Sequence, residues 1–383
     1  EYYFNNKEYY HDVVICTQCN WFGVDQEDYD RSRCPYCLEK IERRKLLRPW
    51  GFAPVRGDAV KYVDESEELS FIESPYYSYV PENEKVERYG NSKFRYAALS
   101  DRKVLTVNMG IQREGFDVCT KCGGAEIAIP GVNVTISQPY HDHNVCSHQG
   151  TLASNVFLGF RFLTDMFMLD IEYDANKLVG LFSSDEKKIF WSAATTLNEA
   201  LKKSISLVLD IDYNELNGGW LPRIVSNEKL HIEMYFYDNL SSGAGYSSMV
   251  DQYLEEILDT AQKILEDCKC SRTCKNCLDN FWNQKNHSYF DRKLGMQLLN
   301  YARFGSYPES LPENEQKLLL APLEKLIAED RDLPNNEKIE FEVIPALRKK
   351  PISSKEKMFL NPYDLSEWLP NTFITYKNLL SQR

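Results

Sequence analysis

The cysteines are the residues of this sequence whose spacing points most clearly to chemistry, because all eleven fall into three groups. Thiols that lie close together bind metal ions, carry redox reactions or form disulfides, and disulfides are rare in reducing compartments. Close cysteine pairs in such a compartment indicate metal or redox sites. The groups are Cys16, Cys19, Cys34 and Cys37; then Cys119, Cys122 and Cys146; then Cys268, Cys270, Cys274 and Cys277.

The first group consists of two CxxC motifs, CTQC and CPYC, separated by fourteen residues. Each CxxC places two thiolates on one tight turn, and two such turns complete a tetrahedral shell of sulfur around zinc. Two redox motifs are not expected so close together. The spacing therefore predicts a zinc ribbon built from these four cysteines.

The second group supplies three cysteines, so a closed structural site needs a fourth ligand. Histidines flank Cys146 in the segment YHDHNVCSH. Either His141 or His143 has a suitable spacing, whereas His148 would have to turn back on itself. The sequence predicts a second zinc site and leaves open which of His141 and His143 completes it.

The third group is a CxCx3CxxC motif, with four thiols between positions 268 and 277. Thiolates that close repel one another and oxidise unless a cation holds them. We therefore predict a third Zn²⁺ bound by four thiolates. All three sites are rich in thiolate and closed, which is typical of structural zinc and not of a catalytic ion with an open position.

The elements that must position these groups are predicted from hydrophobic periodicity. Residues 166–173 and 229–238 are expected to form strands, and 187–209 and 249–267 amphipathic helices, with another helix beginning near Asp291. This pattern predicts an α+β or α/β fold, in which helices pack on a mixed sheet decorated by small zinc-ribbon or zinc-knuckle modules.

The segment SSGAGYSS, residues 241–248, joins a predicted strand to a predicted helix. Glycines at such a junction can cradle a phosphate, because backbone amides and the helix dipole converge there. The other interpretation is a simple tight turn.

Composition divides the chain further, since 383 residues exceed the size of one ordinary core. We expect a zinc ribbon with a basic segment over 1–63 and an acidic linker or insertion over 64–91. The main zinc-binding domain is expected over 92–305, followed by a helical appendage over 306–383.

The formal net charge is −12, which argues against a protein that coats nucleic acid over its whole surface. Two segments are locally basic, however, and aromatic residues lie near them in sequence. Such patches suit phosphate contacts and base stacking, although an ordinary solvated face is the alternative. The predicted nucleic-acid-binding residues are Arg43, Arg44, Lys45, Arg48, Lys269, Arg272 and Lys275.

The sequence contains no GxxxxGK[ST] phosphate loop, so this chain alone is not expected to hydrolyse ATP. It also contains no nucleophile or metalloprotease signature. A hidden nuclease that uses Asp165 with Asp170 or Glu172 and a divalent ion is the alternative. Alternating acids on a strand are more often solvated or paired.

No apolar run reaches the length of a membrane span, and the first residues lack the layout of a signal peptide. We therefore expect a cytoplasmic protein that has no membrane partner. The abrupt start without an initiator Met suggests a piece of a longer polypeptide.

The order of the motifs resembles the MrfA-like zinc-binding domain, found at the C-terminal end of DEAD/DEAH-box superfamily 2 helicases and in the DrmB subunit of the DISARM anti-phage system. The resemblance covers about residues 10–305 and is most specific over 158–295. It rests on CxxC and CPxC, LRPWGFAP, CxxCGG with a His/Cys partner, LGFRFLTDMFMLDI, YDNLSSGAGY, and CxCx3CxxC followed by DRKLG.

This resemblance implies that the third cysteine group binds metal and that the chain is an accessory region of a DNA helicase. The motor domains would lie in the same chain or in a separate subunit, and the DNA would be single-stranded or forked. This sequence differs from the simplest members of the family because it has two further cysteine sites and an acidic insertion. A protein-interaction scaffold in a defence complex, without direct DNA binding, is the alternative, and the acidic balance favours it.

Overall fold

The computed structural model describes most of the chain outside 50–85. The described residues are 2–5, 9–17, 21–24, 33–49, 76–77, 86–110, 113–138, 144–148, 150–181, 183–226, 229–240, 243–330, 333 and 338–381. Its helices are α1 (Tyr2–Asn5), α2 (Ser184–Val208), α3 (Leu254–Glu266), α4 (Arg292–Phe304), α5 (Glu313–Glu329) and α6 (Leu369–Ser381). Its strands are β1 (Tyr10–Cys16), β2 (Phe22–Val24), β3 (Ile41–Leu47), β4 (Tyr76–Tyr77), β5 (Glu87–Arg88), β6 (Phe94–Asn108), β7 (Phe116–Cys119), β8 (Ala125–Ile127), β9 (Leu152–Asp174), β10 (Leu216–Ile224), β11 (Lys229–Asp238), β12 (Glu340–Val343) and β13 (Lys357–Leu360).

One mixed sheet contains β1 to β11, and its longest path runs β10-β11-β9-β3-β1-β2. Strand β9, of 23 residues, is the backbone of this sheet, because it pairs with β3, β6, β7 and β11. The β3–β9 pair is parallel, whereas the other three pairings of β9 are antiparallel. The predicted mixed sheet with packed helices is confirmed.

Helices α2, α3 and α4 cover one face of the sheet and bury the largest apolar core of the described chain. Side chains along a strand alternate between faces, so Phe167, Leu169 and Ile171 of β9 point into this core. Helix α3 buries residues at the spacing of one helical face, among them Leu254, Ile257 and Leu258. These elements confirm the predicted helices and strands, except that the segment Ser247–Tyr253 is a 3-10 helix leading into α3.

The contact between α2 and α4 depends on a glycine. A Cβ atom added to Gly295 would lie 2.8 Å from Cγ2 of Thr196, closer than real Cβ atoms approach. The DRKLG motif therefore needs a residue without a side chain here so that the two helices can pack. Asp291 caps α4, since its Oδ1 accepts hydrogen bonds from the N–H groups of Lys293 and Leu294 at 3.0 and 3.2 Å.

The opposite face of the sheet is covered by the first cysteine segment. Trp21 and Tyr36 pack with Met166, Met168 and Tyr235 in a second core. The N–H of Ile224 also donates to the carbonyl oxygen of Tyr36 at 2.6 Å. The segment that carries the first cysteine group is therefore packed against the sheet and does not form a separate domain.

The C-terminal residues form a further module with its own core, built from α5, α6 and the parallel pair β12–β13. The region was predicted to be a helical appendage, and it contains the helices α5 and α6; the strand pair was not predicted. The module contacts the main core through Tyr363, whose hydroxyl donates to Oδ2 of Asp291 at 2.7 Å. In the described part of the chain, no helix is both long and apolar enough to cross a bilayer.

Candidate metal centres

The third cysteine group forms a compact cluster of four thiols. The Sγ atom of Cys268 lies 3.4 Å from that of Cys270 and 3.6 Å from that of Cys274. The Sγ atom of Cys277 lies 3.8 Å from that of Cys270 and 3.9 Å from that of Cys274. A tetrahedral ion with metal–sulfur bonds of ~2.3 Å requires sulfur atoms about 3.8 Å apart, so this set fits zinc. The thiols are too far apart to be disulfide bonded.

Two helices outside the cluster hold its backbone. The cluster begins directly after Asp267, the C-cap residue of α3. From α4, Arg292 donates through Nε to the carbonyl oxygen of Cys270 at 2.9 Å and through Nη1 to that of Leu265 at 3.2 Å. From α2, Nζ of Lys203 donates to the carbonyl oxygen of Cys277. The cluster therefore connects three helices of the main core.

The thiols of this cluster have unequal proton affinities. Hydrogen bonding from the backbone and thiol of Cys270 lowers the pKa of Cys268 to about 7. Burial, followed by the neighbouring thiols, raises the pKa of Cys270 to about 12. Burial also raises the pKa of Cys277. Without a cation, the cluster therefore accommodates a first thiolate more easily than a second, and a divalent ion would remove this repulsion.

The second cluster contains Cys119, Cys122, Cys146 and His148, whose ligand atoms all lie within 4.8 Å of one another. Nδ1 of His148 lies 3.4 Å from Sγ of Cys146 and 3.6 Å from Sγ of Cys119. These distances match the sulfur–nitrogen edge of about 3.6 Å in a tetrahedral zinc site. His148 was set aside because it would have to turn back on itself, and in the structure its ring does lie back beside the thiols of Cys119 and Cys146.

His141 and His143, the two histidines favoured by spacing, lie outside the described residues. The sequence does contain a pattern that points to His148, although the sequence analysis did not use it. Cys146 and His148 are separated by one residue, as Cys268 and Cys270 are in the third cluster. In both clusters the structure uses this short spacing to place two ligand atoms side by side.

Hydrogen bonds also polarise the second cluster. Burial alone would raise the pKa of the Cys119 thiol, but the backbone N–H of Cys122 and the hydroxyl of Thr151 lower it to about 5. The Thr151 oxygen lies 3.5 Å from the Cys119 sulfur. Burial raises the pKa of Cys122 to about 11. The arrangement favours thiolate at Cys119, the form that binds a metal ion.

The first cluster brings Cys16, Cys34 and Cys37 together, all of them buried. Sγ of Cys16 lies 3.3 Å from Sγ of Cys37, and the N–H of Tyr36 donates to Sγ of Cys34 at 3.4 Å. Cys19, the fourth predicted ligand, lies outside the described residues. Three thiols therefore form the described part of this candidate site.

The CPYC turn of the first cluster and the CTKC turn of the second share one backbone conformation. The residue after each motif is left-handed, with φ 62° at Leu38 and 77° at Gly123. Its N–H donates at 2.9 Å to the carbonyl oxygen of the first cysteine, Cys34 or Cys119. This shared turn brings two sulfur atoms together, and the predicted decoration of the sheet by small cysteine modules that could bind zinc is confirmed.

The predicted nucleic-acid-binding residues separate into two sets. Three form ion pairs within the chain: Arg44 with Glu42 at 2.8 Å, Lys45 with Asp12 at 2.7 Å, and Arg272 with Glu367 at 3.6 Å and Asp291 at 3.9 Å. The other four have exposed side chains: Arg43, Arg48, Lys269 and Lys275. The exposed set is the better placed to contact phosphate.

The glycine segment after β11 is a tight turn and not a phosphate cradle. Its amides already have a partner, because the buried carboxylate of Asp238 accepts hydrogen bonds from them. The donors are the N–H groups of Ala244 at 2.6 Å, Tyr246 at 3.1 Å and Ser247 at 2.8 Å. A phosphate would have to displace this carboxylate, so the amides are not available to one.

The acids of the nuclease alternative do not gather into a metal site. Asp170 is buried and bonded to Nε of Arg95 at 2.9 Å and to Nδ1 of His231 at 2.7 Å. Glu172 pairs with Arg88 at 2.5 Å. Within the described ranges, the groups of side chains able to hold a metal ion are the three cysteine clusters.

The fold and these sites define an α/β protein with three cysteine clusters that fit zinc. Comparison with known families agrees, since residues 197–278 match the model of the MrfA Zn-binding domain. The matched segment runs from the second half of α2 to the end of the third cluster. The resemblance inferred from the motifs is thereby confirmed for this part of the chain.

Among curated proteins, the chain is similar to the Druantia protein DruE of Escherichia coli (strain UMEA 4076-1). The two are 29% identical over 324 residues, which cover 80% of this chain and 17% of DruE. The chain therefore spans about a sixth of that relative's length.

Two crystal structures of the DUF1998 helicase MrfA are also similar to the chain. The structure bound to DNA has 14% identity and a TM-score of 0.32, with 57% of this chain and 23% of that chain covered. The structure bound to DNA and AMPPNP has 11% identity and a TM-score of 0.27, with 56% and 23% covered.

Proposed function

We propose that this chain is a zinc-stabilised accessory region of an ATP-dependent DNA helicase of DNA repair or anti-phage defence, acting in the cytoplasm. Three structural Zn²⁺ ions hold its modules together, and the region contributes DNA binding and domain organisation, not catalysis. The helicase motor lies in the same chain or in a partner subunit.

The observation that carries this proposal is the position of the third cluster. It lies within the segment that matches the MrfA Zn-binding domain and connects α2, α3 and α4 through Lys203, Arg292 and its own backbone. A metal ion at such a junction fixes the relative positions of three helices. This is a structural role, and it suits a region that supports a motor.

DNA binding is the second part of the proposal, and the four exposed cations support it. Arg43 lies in β3 and Arg48 directly follows it, and Lys269 and Lys275 lie within the third cluster. Each phosphate contact releases ~0.7 counterions from single-stranded DNA. Loss of all four contacts is therefore expected to reduce the salt dependence of binding by about three units.

The experiment compares two variants of the zinc-loaded chain. One carries Arg43→Gln, Arg48→Gln, Lys269→Gln and Lys275→Gln. The control carries Lys317→Gln and Lys325→Gln on α5, where both lysines are highly exposed and pair with glutamates on the same helix. Affinity for forked and single-stranded DNA is measured at two salt concentrations, together with zinc content. Weaker binding and a flatter salt dependence in the first variant alone support the proposal.

The alternative function is a protein-interaction scaffold, favoured by the net charge of −12 and by the internal pairing of Arg44, Lys45 and Arg272. If the fourfold variant binds DNA like the parent at both salt concentrations with unchanged zinc content, the DNA part of the proposal is wrong. The scaffold interpretation then takes its place.

A further inference from the structure

A short turn beside the third cluster exposes two large aromatic rings. This aromatic turn is the 3-10 helix Phe281–Asn286. Phe281 is 49% exposed and Trp282 is 63% exposed, and their ring centroids lie 5.3 Å apart at an interplanar angle of 87°. Single exposed apolar side chains are ordinary, but adjacent exposed rings form a patch of the kind that marks interaction sites.

The rings are exposed on a rigid support. The side chain of Asn280 accepts a hydrogen bond from the N–H of Trp282 at 2.9 Å, and its own N–H donates to Oδ1 of Asn283 at 2.9 Å. Asn283 is 3% exposed and donates from Nδ2 to Oε1 of Glu199 on α2 at 2.7 Å. The hydrogen bond between Asn283 and Glu199 is buried and fixes the turn to α2, so a ligand that contacts Trp282 loses little entropy in ordering the turn.

One exposed cation lies on the same side of the turn as Trp282. Side chains three residues apart eclipse one another in a 3-10 helix, so Lys285 lies over the same side of the turn as Trp282. Lys202 of α2, by contrast, is largely buried, with Nζ 4.0 Å from the centroid of the Tyr213 ring and the carboxylate of Glu199 nearby. It therefore belongs to the support of the turn and not to its exposed surface.

The local charge selects among ligands. Over 268–293 the exposed cations are Lys269, Lys275, Lys285 and Lys293. The acids of this segment are Asp279 and Asp291. Asp291 is buried, and its carboxylate already accepts hydrogen bonds from the first turn of α4 and from the hydroxyl of Tyr363. Aromatic rings beside a cationic groove are the arrangement by which proteins bind single-stranded nucleic acid, with bases on the rings and phosphates on the lysines.

We propose that the aromatic turn is a single-stranded nucleic-acid site, in which an unpaired base stacks on Trp282 while Lys285 contacts the flanking phosphate. The inference rests on the proposed DNA-binding function and names the residues that would read unpaired bases. Trp282 is not among the nucleic-acid-binding residues predicted from the sequence.

The test uses two fluorescent oligonucleotides of equal length, oligodeoxythymidine and an abasic strand that carries the phosphates without the bases. The zinc-loaded chain is compared with Trp282→Ala and with Phe304→Ala, a control that removes another exposed ring on α4. Stacking predicts that Trp282→Ala weakens oligodeoxythymidine binding roughly 5- to 100-fold, leaves abasic binding unchanged and keeps the same salt slope. Lys285→Gln should instead reduce the salt slope by about 0.7 for both strands.

A second measurement does not depend on the alanine variant folding. The fluorescence of the parent minus that of Trp282→Phe isolates the signal of Trp282, which oligodeoxythymidine should quench and the abasic strand should not. Equal affinity of parent and Trp282→Ala for oligodeoxythymidine, or absence of quenching, would overturn the stacking site while the DNA-binding proposal stands. A parent that binds neither strand would overturn both, and binding of a protein partner that depends on Trp282 would assign the turn to the scaffold alternative.

Discussion

Arg292 donates a hydrogen bond from Nε to the carbonyl oxygen of Cys270 at 2.9 Å, which joins the start of α4 to the third cysteine cluster. Its Nη1 also donates to the carbonyl oxygen of Leu265 at 3.2 Å, in the last turn of α3. One guanidinium therefore donates to a carbonyl oxygen at the end of α3 and to another within the third cluster. Its planar, forked group of donors suits two acceptors better than the ammonium of a lysine does.

This relationship predicts the effect of Arg292→Lys. A lysine cannot make both hydrogen bonds, and charged hydrogen bonds contribute about 1.5–3 kcal/mol each, so the free energy of unfolding should fall by about that amount. One of the bound metal ions should also be released faster to a chelator. The control is Lys293→Ala at the exposed neighbouring position. Unchanged chelation kinetics and stability in Arg292→Lys would show that the clamp is unimportant.

The second cluster makes a prediction about its histidine ligand. Because Nδ1 of His148 lies 3.4 Å from Sγ of Cys146, His148→Ala should lower the zinc content by one equivalent. His141→Ala and His143→Ala are the matched controls and should keep full zinc content. Zinc loss in either control, with full content in His148→Ala, would reject the ligand set given by the structure.

A pH dependence is predicted from a buried carboxylate below the first cysteine module. Glu233 of β11 is 5% exposed, and Nε of Arg223 donates to its Oε1. Burial raises the pKa of Glu233 above its usual value of 4.5, with Asp170 adding to the effect and Arg223 opposing it.

The sign of this dependence follows from linkage. Between the usual pKa and the raised one, the folded chain holds a proton that the unfolded chain has lost, so the free energy of unfolding falls as pH rises through this window. Above the raised pKa the contribution is constant. Chemical denaturation of the parent and Glu233→Gln across this range should show a shallower fall in the variant. Parallel curves would mean that Glu233 has an ordinary pKa.

Local patterns were sufficient for much of the fold and for the third cluster. The periodicity of 187–209 predicted α2, and the four thiols of 268–277 lie so close in sequence that few backbone paths can keep them apart. Strand β11 was predicted with the bounds 229–238 that it has in the structure. In each case the information lies within one segment, where helical or strand spacing determines which side chains meet.

Contacts between distant segments could not be predicted in this way. Arg272 was expected to bind phosphate, but it pairs with Glu367, which is 95 residues away in sequence and belongs to the C-terminal module. The glycine turn after β11 is occupied by Asp238, and only the folded backbone shows that its amides converge on this carboxylate. The aromatic turn is likewise held by a distant contact, since Asn283 donates a hydrogen bond to Glu199 of α2, 84 residues away in sequence.

Zinc content is the measurement that tests the central claim most directly. Elemental analysis of the purified chain, combined with titration of its free thiols, should find three zinc ions per chain and thiols that react only after chelation or unfolding. Structural zinc contributes roughly 10–16 kcal/mol of binding free energy coupled to folding, so chelation should also unfold the clusters. One ion or none, with thiols that react freely in the folded chain, would contradict the account.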